Sequence, residues 1–397
     1  MACSRPAPPR GHGMTRRTFL QGGSAAAVTM ALAATDPRAG RAAAEANVQW
    51  RNKQPSMSYR RLGRTGFMVS EIACGGDPIR TRNYKHVALA IDRGLNYLDM
   101  APLYGRGDCE IAYGRLIAGA SKRDRVFLNT KISGFLPLRD RLYREVFKGL
   151  PQAKQQAVMK RAAEMRRQRG IEKPGYYLDY FPGQRRQFDA TYLSSAMQKD
   201  YAHRVDGSKA LRKTIVESVE GSLKRVGTDT FDLVMCPHGA NAPEEVQIPE
   251  IFQTFAELKK QGKVRHLGVS SHNDPAGVLR AATGTGQYDV VMVAYNVVNG
   301  GYLEEAIRAA AARDIGVIAM KTAMAVATHH RALQPIPKWR IQKVHAIVPG
   351  DMKPPLKAYL WVLQNPNVSM IVSNLWDENF IRENLSVAGK KVALQPA

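Results

Sequence analysis

The stretch LNYLDMAPLYG, residues 95–105, decides the fold of this chain. Its first half is a short apolar run that is typical of a buried strand ending at Asp99. A turn containing Pro102 follows, and Tyr104 lies five residues after Asp99. A carboxylate and a phenol therefore stand together at the carboxyl end of a predicted strand.

Two more predicted strands end in polar residues of the same kind. VFLNTK ends at Lys131, and FDLVMCP is followed directly by His238. Polar groups at the carboxyl ends of consecutive parallel strands form the active site of a (β/α)8 barrel. The pattern predicts an α/β fold of this type, a TIM barrel, with these residues in one site.

Eight alternations of strand and helix follow an N-terminal hairpin over residues 58–70. The barrel is expected to occupy residues 58–397, with the hairpin closing its base. The predicted strands are 71–74, one ending at 99, one ending at 131, one ending near 236, 265–269, 290–294, 316–320 and 369–372. The predicted helices are 85–93, 109–118, 209–226, 251–261, 275–282, 302–313, 355–364 and 377–387.

The four strand-end residues make a proton-donating set. A charged Lys131 stabilises the phenolate of Tyr104, and Asp99 keeps the lysine charged and oriented. His238 can donate a hydrogen bond to a carbonyl oxygen. Each residue also has a structural reading, because Asp and Tyr are common around turns and a strand-end lysine often lies at the surface. The combination favours catalysis.

The motifs that carry these residues resemble the aldo-keto reductase family over residues 59–389. The resemblance implies an NAD(P)-dependent enzyme that reduces an aldehyde or ketone, or oxidises the alcohol, by hydride transfer. It assigns the catalytic roles to Asp99, Tyr104, Lys131 and His238, with Tyr104 as proton donor. The motifs are DMAPLYG at 99–105, VESVEGSLKRVGTDTFDLVMCPH at 216–238 and GKVRHLGVSS at 262–271.

The same resemblance assigns cofactor contacts less fully. Ser271 stands where the family has Asn, and Met292 stands where many members have a Gln that contacts the nicotinamide amide. Lys321, at a strand end, is placed to bind a phosphate. The cofactor-binding residues expected from these matches are Ser270, Ser271, Lys321, Ser373, Glu383 and Asn384.

The choice between NADP and NAD stays open. NADP-using members carry basic residues after the last strand, whereas residues 373–380 here have Asp377 and Glu378 and no Lys or Arg. Carboxylates suit a ribose hydroxyl better than a 2′-phosphate. The alternative is that Asp377 only caps the last helix and that more distant basic residues bind the phosphate. Family frequency favours NADP.

The N-terminus is predicted to be a targeting segment. TRRTFL at 15–20 is a twin-arginine signature, and residues 21–34 are a short, weakly apolar stretch rich in Gly and Ala. Residues 1–46 are therefore assigned to a twin-arginine signal peptide and linker, with residues 35–56 irregular. The apolar stretch is too short for a stable membrane span. The export machinery is the expected partner, and the periplasm or another extracytoplasmic space the expected location.

An insertion of about seventy residues, 133–207, separates Lys131 from His238. In a barrel, a loop after the third strand opens on the catalytic face. Its six tyrosines favour packing over disorder, and residues 154–169 read as a basic helix. The segment is either a solvated, decorative subdomain or a lid that shapes the substrate pocket.

Charge and cysteine usage narrow the function classes. The chain has 58 Lys and Arg against 34 Asp and Glu, a net charge of +24. This favours a generally basic surface over a specific nucleic-acid site. Its four cysteines lack metal-binding spacing, so no metal site is predicted. A small carbonyl compound is the expected substrate. The alternatives are a redox-neutral enzyme that acts on a sugar-like substrate with a tightly bound nicotinamide, and a non-catalytic barrel that binds a polyanion.

Overall fold

A computed structural model of the chain describes residues 48–205, 207–328 and 335–396. The predicted twin-arginine segment lies outside these residues, as does the first part of the predicted linker. Within them, no helix is long and apolar enough to cross a membrane.

A small sheet closes the base of the barrel. It consists of β1 (Gln49–Trp50), β2 (Tyr59–Arg61) and β3 (Phe67–Ser70), in the order β1-β3-β2. β2 and β3 form the predicted antiparallel hairpin, and β1 pairs parallel to β3. The expectation of an irregular linker was wrong for Gln49–Trp50, whereas residues 51–56 contain no helix or strand, as expected. A strand of two residues shows no sequence period, because its pairing is supplied entirely by β3.

Eight parallel strands close into a barrel in chain order, and the last strand pairs with the first through Ile371 and Ile72. The predicted (β/α)8 TIM barrel is confirmed. The sixth and seventh strands begin and end at the predicted residues, and the eighth is shifted by one residue. The strands are β4 (Ile72–Gly75), β5 (Tyr97–Asp99), β6 (Phe127–Lys131), β7 (Phe231–Met235), β8 (Val264–Ser271), β9 (Val290–Ala294), β10 (Gly316–Met320) and β11 (Met370–Ser373).

Helices cover the outside of the barrel, and each predicted barrel helix is present with small shifts at its ends. Outside the insertion, the short helix Ala120–Arg123 and the helix Lys338–Ile347 were not predicted. The helices are α1 (Val87–Asp92), α2 (Asp108–Leu116), α3 (Ala120–Arg123), α4 (Phe135–Lys148), α5 (Gln152–Arg169), α6 (Gln184–Tyr201), α7 (Ser208–Val226), α8 (Pro249–Lys260), α9 (Pro275–Thr285), α10 (Gly300–Ala312), α11 (Lys338–Ile347), α12 (Pro354–Leu363) and α13 (Glu378–Leu385).

The barrel interior is filled by alternate strand residues, as the two-residue period of a strand requires. The hairpin adds Leu62, Phe67 and Val69 to this interior cluster, and the ring of Phe67 stacks on that of Phe127 with centroids 4.3 Å apart. Packing therefore closes the amino-terminal end of the barrel. The candidate site lies at the opposite end of the barrel, at the carboxyl ends of the strands.

The insertion folds into three helices, α4, α5 and α6. Only α5, close to the predicted 154–169, could be read from the sequence. α6 buries polar side chains such as Gln184 and Thr191 beside aromatic ones such as Phe188 and Tyr192, so it has no clean apolar stripe. Part of the insertion has its own small core around Tyr143, and the rest joins the main hydrophobic core.

Candidate active site

A buried ion pair lies at the carboxyl ends of β5 and β6. Lys131 Nζ donates to Asp99 Oδ1 at 2.6 Å and to the carbonyl oxygen of Met100 at 2.9 Å. Asn129 Nδ2 donates to the same Asp99 oxygen at 2.7 Å. The Lys131 and Asp99 side chains are 1% and 3% exposed. These hydrogen bonds hold the Lys131 side chain in one position.

Tyr104 lies next to this pair. Lys131 Nζ is 4.8 Å from the centroid of the Tyr104 ring. The turn that carries Tyr104 is tight, because Tyr104 N donates to the carbonyl oxygen of Ala101 at 3.0 Å and Gly105 has a φ of 61°. A side chain at Gly105 would collide with Arg80. Sequence and packing therefore fix the phenol beside a cation.

His238 completes the set of four. Its ring is edge-on to that of Tyr104, with centroids 6.1 Å apart, and Ser133 Oγ lies 2.8 Å from His238 Nδ1. Burial, and then the charges of Lys131 and Lys321, hold the pKa of His238 well below its usual range. The imidazole is therefore neutral near pH 7. When the Ser133 hydroxyl donates to Nδ1, Nε2 carries the proton and can donate to a substrate oxygen.

A cavity at this end of the barrel connects the catalytic set with the far strand ends. Asp99, Tyr104 and His272 line its reacting end, and Asn374 and Asn384 line its other end. Gly75 ends β4, Gly76 follows it, and both line the cavity. A Cβ at Gly76 would lie 2.4 Å from the carbonyl oxygen of Asp99, so a side chain does not fit at this position.

His272 is a second imidazole at the reacting end, and the sequence did not single it out. It follows β8 directly and lines the cavity. The Phe181 ring meets it edge-on with centroids 5.5 Å apart. Burial, together with the charges of Lys321 and Lys131, holds the pKa of His272 well below its usual range. No local motif marks it, because its neighbour Phe181 comes from the distant insertion.

Residues 76–394 match the family model of the Aldo/keto reductase family. The chain belongs to the aldo/keto reductase family. This confirms the resemblance found in the sequence motifs. The matched region includes the four residues of the catalytic set and the whole insertion.

Curated and solved relatives agree with this family. The aldo-keto reductase YhdN of Bacillus subtilis is 26% identical over 225 residues, which cover 54% of this chain and 47% of that protein. Aldo-keto reductase AMT2 of Alternaria alternata is 26% identical over 237 residues, which cover 55% and 51%. The chain thus spans about half the length of the curated relatives it matches.

Among solved structures, an aldo-keto reductase from Bacillus halodurans in its holo form has a TM-score of 0.56 and 19% identity, covering 85% of this chain and 93% of that one. An aldo-keto reductase from Klebsiella pneumoniae in complex with NADPH has a TM-score of 0.51 and 17% identity, covering 83% and 89%. At such identities, the likeness shows the shared fold.

The two serines at the end of β8 differ in their contacts. Ser270 Oγ accepts a hydrogen bond from Gly239 N at 2.9 Å, which ties β8 to the turn after His238. Ser271 is fully buried, and its hydroxyl has no hydrogen-bond partner among the described residues. A buried hydroxyl without a partner is costly unless a ligand supplies one. Ser271 is therefore suited to a polar ligand group.

Lys321 lies close to the histidines of the candidate site. A cofactor phosphate bound near Asn374 and Asn384 would need a basic group farther from these histidines. Lys321 lines the cavity, its Nζ is 5.8 Å from the Tyr180 ring centroid, and its charge acts on His238 and His272. Its φ of 61° is left-handed, a strained conformation that clusters at functional sites. Its assignment to a phosphate stays a prediction.

The residues after β11 separate into two groups. Asn384 lines the cavity and donates through Nδ2 to Ser373 Oγ at 2.9 Å, so Ser373 positions Asn384 from a buried site. Glu383 instead forms an ion pair with Lys353 at 2.6 Å on the surface and is not among the residues that line the cavity. Asp377 caps α13, since its side chain accepts hydrogen bonds from the N–H groups of residues 379 and 380.

The insertion lies on the catalytic face of the barrel. Its side chains bond to the loops that follow three strands. Thr191 Oγ1 lies 2.9 Å from Glu245 after β7, Gln184 Nε2 donates to Asn273 at 2.6 Å after β8, and Tyr180 accepts from Asn296 at 2.9 Å after β9. All these residues are buried. The contacts join the insertion to the rim of the candidate site.

Within the described residues, no group of three or more His, Cys, Asp or Glu could hold a metal ion. Cys74, Cys109 and Cys236 are free and buried, and burial raises the pKa of the Cys74 thiol to about 12. These thiols are therefore protonated packing groups near pH 7.

Proposed function

We propose that this protein is an NAD(P)-dependent oxidoreductase that reduces an aldehyde or ketone, or oxidises the corresponding alcohol, with Tyr104 as the proton donor. One observation carries the proposal. The Asp99–Lys131 pair is almost fully buried, and its ammonium lies against the Tyr104 ring. Burying two charges costs desolvation free energy that packing alone does not require. Its placement beside a phenol on a cavity wall favours catalysis.

The roles follow from the positions. His238 donates a hydrogen bond to the substrate carbonyl oxygen, and Tyr104 transfers its phenolic proton to the same oxygen. Lys131 stabilises the resulting phenolate, and Asp99 holds Lys131 in place. A bound reduced nicotinamide supplies the hydride that the carbonyl carbon takes up. Solvent then returns a proton to Tyr104, which balances the reaction.

The cavity fits a nicotinamide cofactor. Asn384, on the cavity wall, suits the adenine-side half. Ser271, whose buried hydroxyl has no partner among the described residues, suits the amide of the nicotinamide, although neither Ser270 nor Ser271 is among the residues that line the cavity. The Klebsiella pneumoniae relative is described in complex with NADPH, which supports NADP or NAD as the cofactor here. Asp377 caps α13, which is the structural role that the sequence left open for it beside cofactor recognition.

Calorimetric titration of cofactor-stripped protein with NAD and NADP tests this proposal. We expect both to bind with affinities within about tenfold of each other, because residues 373–380 contain no basic group. Asn374→Lys, on the cavity wall, should shift the preference toward NADP. Asp377→Asn keeps the cap and is the matched control, for which no shift is expected. If neither nucleotide binds, the proposal is wrong.

The alternatives to this proposal are a barrel that binds a polyanion and an enzyme with a redox-neutral reaction. The basic residues of α5 are largely paired, for example Arg161 with Asp200 and Arg166 with Glu172 and Asp189. Such pairing disfavours a polyanion-binding barrel. A redox-neutral reaction needs a cofactor that stays bound. Detection of retained nicotinamide in the purified protein by mass spectrometry would therefore favour the redox-neutral alternative.

We further propose that the protein is exported folded by the twin-arginine route to an extracytoplasmic space. TRRTFL at residues 15–20 supports this proposal. Replacing both Arg16 and Arg17 with Lys should leave the protein in the cytoplasm, as measured by cell fractionation against marker enzymes. If the parent protein itself fractionates with the cytoplasmic marker, the proposal fails.

A further inference from the structure

Two imidazoles follow adjacent strands of the barrel at its carboxyl end. His238 follows β7 and His272 follows β8. A Cβ built on Gly239, the residue after His238, would lie 3.6 Å from His272 Nδ1, so the His272 ring lies against the turn that carries His238. His272 lines the cavity together with Tyr104, whereas His238 meets the Tyr104 ring edge-on and is not among the residues that line the cavity.

Their hydrogen bonding differs. Ser133 engages His238 at Nδ1, whereas no hydrogen bond joins the His272 ring to any other described residue. His272 nevertheless lines the cavity. A neutral imidazole carries one donor and one acceptor nitrogen, and a partly buried ring without a protein partner is suited to a ligand.

The His272 ring is held in place by the insertion. Phe181 meets it edge-on at 5.5 Å, and the preceding residue, Tyr180, is buried and fixed by Asn296 Nδ2 at 2.9 Å. Gln184 adds a second anchor by bonding to Asn273, next to His272. A ring that is oriented in advance loses little entropy when it binds a ligand.

The charges around His272 keep it neutral. Burial, followed by the charges of Lys321 and Lys131, holds its pKa well below its usual range. The carboxylates that line the cavity are Asp77 and Asp99, and Asp99 is paired with Lys131. Near pH 7 His272 is thus an uncharged hydrogen-bonding group, which suits a hydroxyl or carbonyl oxygen.

We propose that His272 binds a second substrate oxygen, so that the preferred substrates carry a hydroxyl or carbonyl group on the carbon next to the reacting carbonyl. His238 and Tyr104 bind the reacting oxygen, and His272, oriented by Phe181, binds its neighbour. This inference rests on the proposed oxidoreductase function. It makes His272 a specificity-determining residue and gives the insertion a part in substrate recognition.

Matched aldehydes test the inference. Propanal and 2-hydroxypropanal differ by the one hydroxyl that His272 is proposed to bind. We expect the parent protein to favour 2-hydroxypropanal by about tenfold or more in kcat/KM, the effect of one net hydrogen bond. His272→Leu should remove most of this preference, chiefly through KM for 2-hydroxypropanal. His272→Asn, which keeps a donor and an acceptor, should retain part of it.

The control is His203→Leu, the same substitution at an exposed position, and it should leave the ratio unchanged. Equal kcat/KM for the two aldehydes in the parent protein overturns the inference whether or not the variants fold. An unchanged ratio in folded His272→Leu overturns it too. If the parent reduces neither aldehyde with NADPH or NADH, the proposed function fails as well. Turnover without a preference is a failure of the His272 inference alone.

Discussion

Tyr104→Phe should lower kcat for aldehyde reduction by about 10²–10⁴-fold, the range that a positioned general acid contributes. The phenylalanine keeps the ring that lies under Lys131 and edge-on to His238, so the packing changes little. Only the hydroxyl that supplies the proton is lost. Steady-state rates measured from the absorbance of the reduced nicotinamide check this expectation.

Cofactor binding separates a chemical effect from a structural one. We expect Tyr104→Phe to bind NADPH or NADH with an affinity within about threefold of the parent, because the ring remains in place. Tyr84→Phe, at a half-buried tyrosine outside the cavity, is the matched control and should keep full activity. Activity of Tyr104→Phe within a few-fold of the parent would remove Tyr104 as the proton donor.

Arg139→Ala should destabilise the protein by about 3–5 kcal/mol, the cost of removing one partner of a buried ion pair. Arg139 belongs to α4 in the insertion, and its side chain is 2% exposed. It lies 3.2 Å from Asp140 and 3.6 Å from Glu245, which is fully buried after β7. Its loss leaves two carboxylates close together without a cation at the junction of insertion and barrel.

The loss of stability caused by Arg139→Ala should depend on pH. Burial raises the pKa of Glu245 to about 7, with a further contribution from Asp140. A carboxyl whose pKa is higher in the folded than in the unfolded protein contributes stability at low pH, and that stability is lost as pH rises through about 7. Without Arg139 the Glu245 pKa rises further. The cost of Arg139→Ala should therefore be larger at about pH 8.5 than at about pH 5.5.

Urea unfolding at both pH values measures this difference. Arg141→Ala, in the same helix but exposed, is the control and should shift the unfolding midpoint little. Adding Glu245→Gln to Arg139→Ala should recover part of the loss at high pH, because no buried carboxylate then stays unpaired. An Arg139→Ala midpoint equal to that of Arg141→Ala would show that the cluster does not hold the insertion to the barrel.

The barrel could be predicted because its strands are short apolar runs that end in polar residues. β9 and β10 begin and end at the predicted residues, and β5 and β6 end at Asp99 and Lys131 as expected. The packing of the insertion could not be predicted. α6 buries Gln184 and Thr191, whose partners Asn273 and Glu245 lie far along the chain. Polar burial of this kind leaves no hydrophobic period.

The candidate site also has a part that could be predicted from the sequence and a part that could not. The four candidate catalytic residues lie at a strand end or within five residues of one, as motif spacing predicts, and the structure brings all four together. Ser133 and His272 escaped notice because their roles depend on contacts with residues distant in sequence. Glu383 matched a motif position, yet its carboxylate pairs with Lys353 at the surface.

Isotope transfer tests the central claim most directly. The purified protein is mixed with an aldehyde and with NADPH or NADH deuterated at the transferable position of the nicotinamide, and the alcohol is analysed by mass spectrometry. The account predicts an alcohol that carries one deuterium with the parent protein, and little or none with Tyr104→Phe. Failure of the parent to transfer deuterium from either cofactor to any aldehyde of a broad panel, 2-hydroxypropanal included, would contradict it.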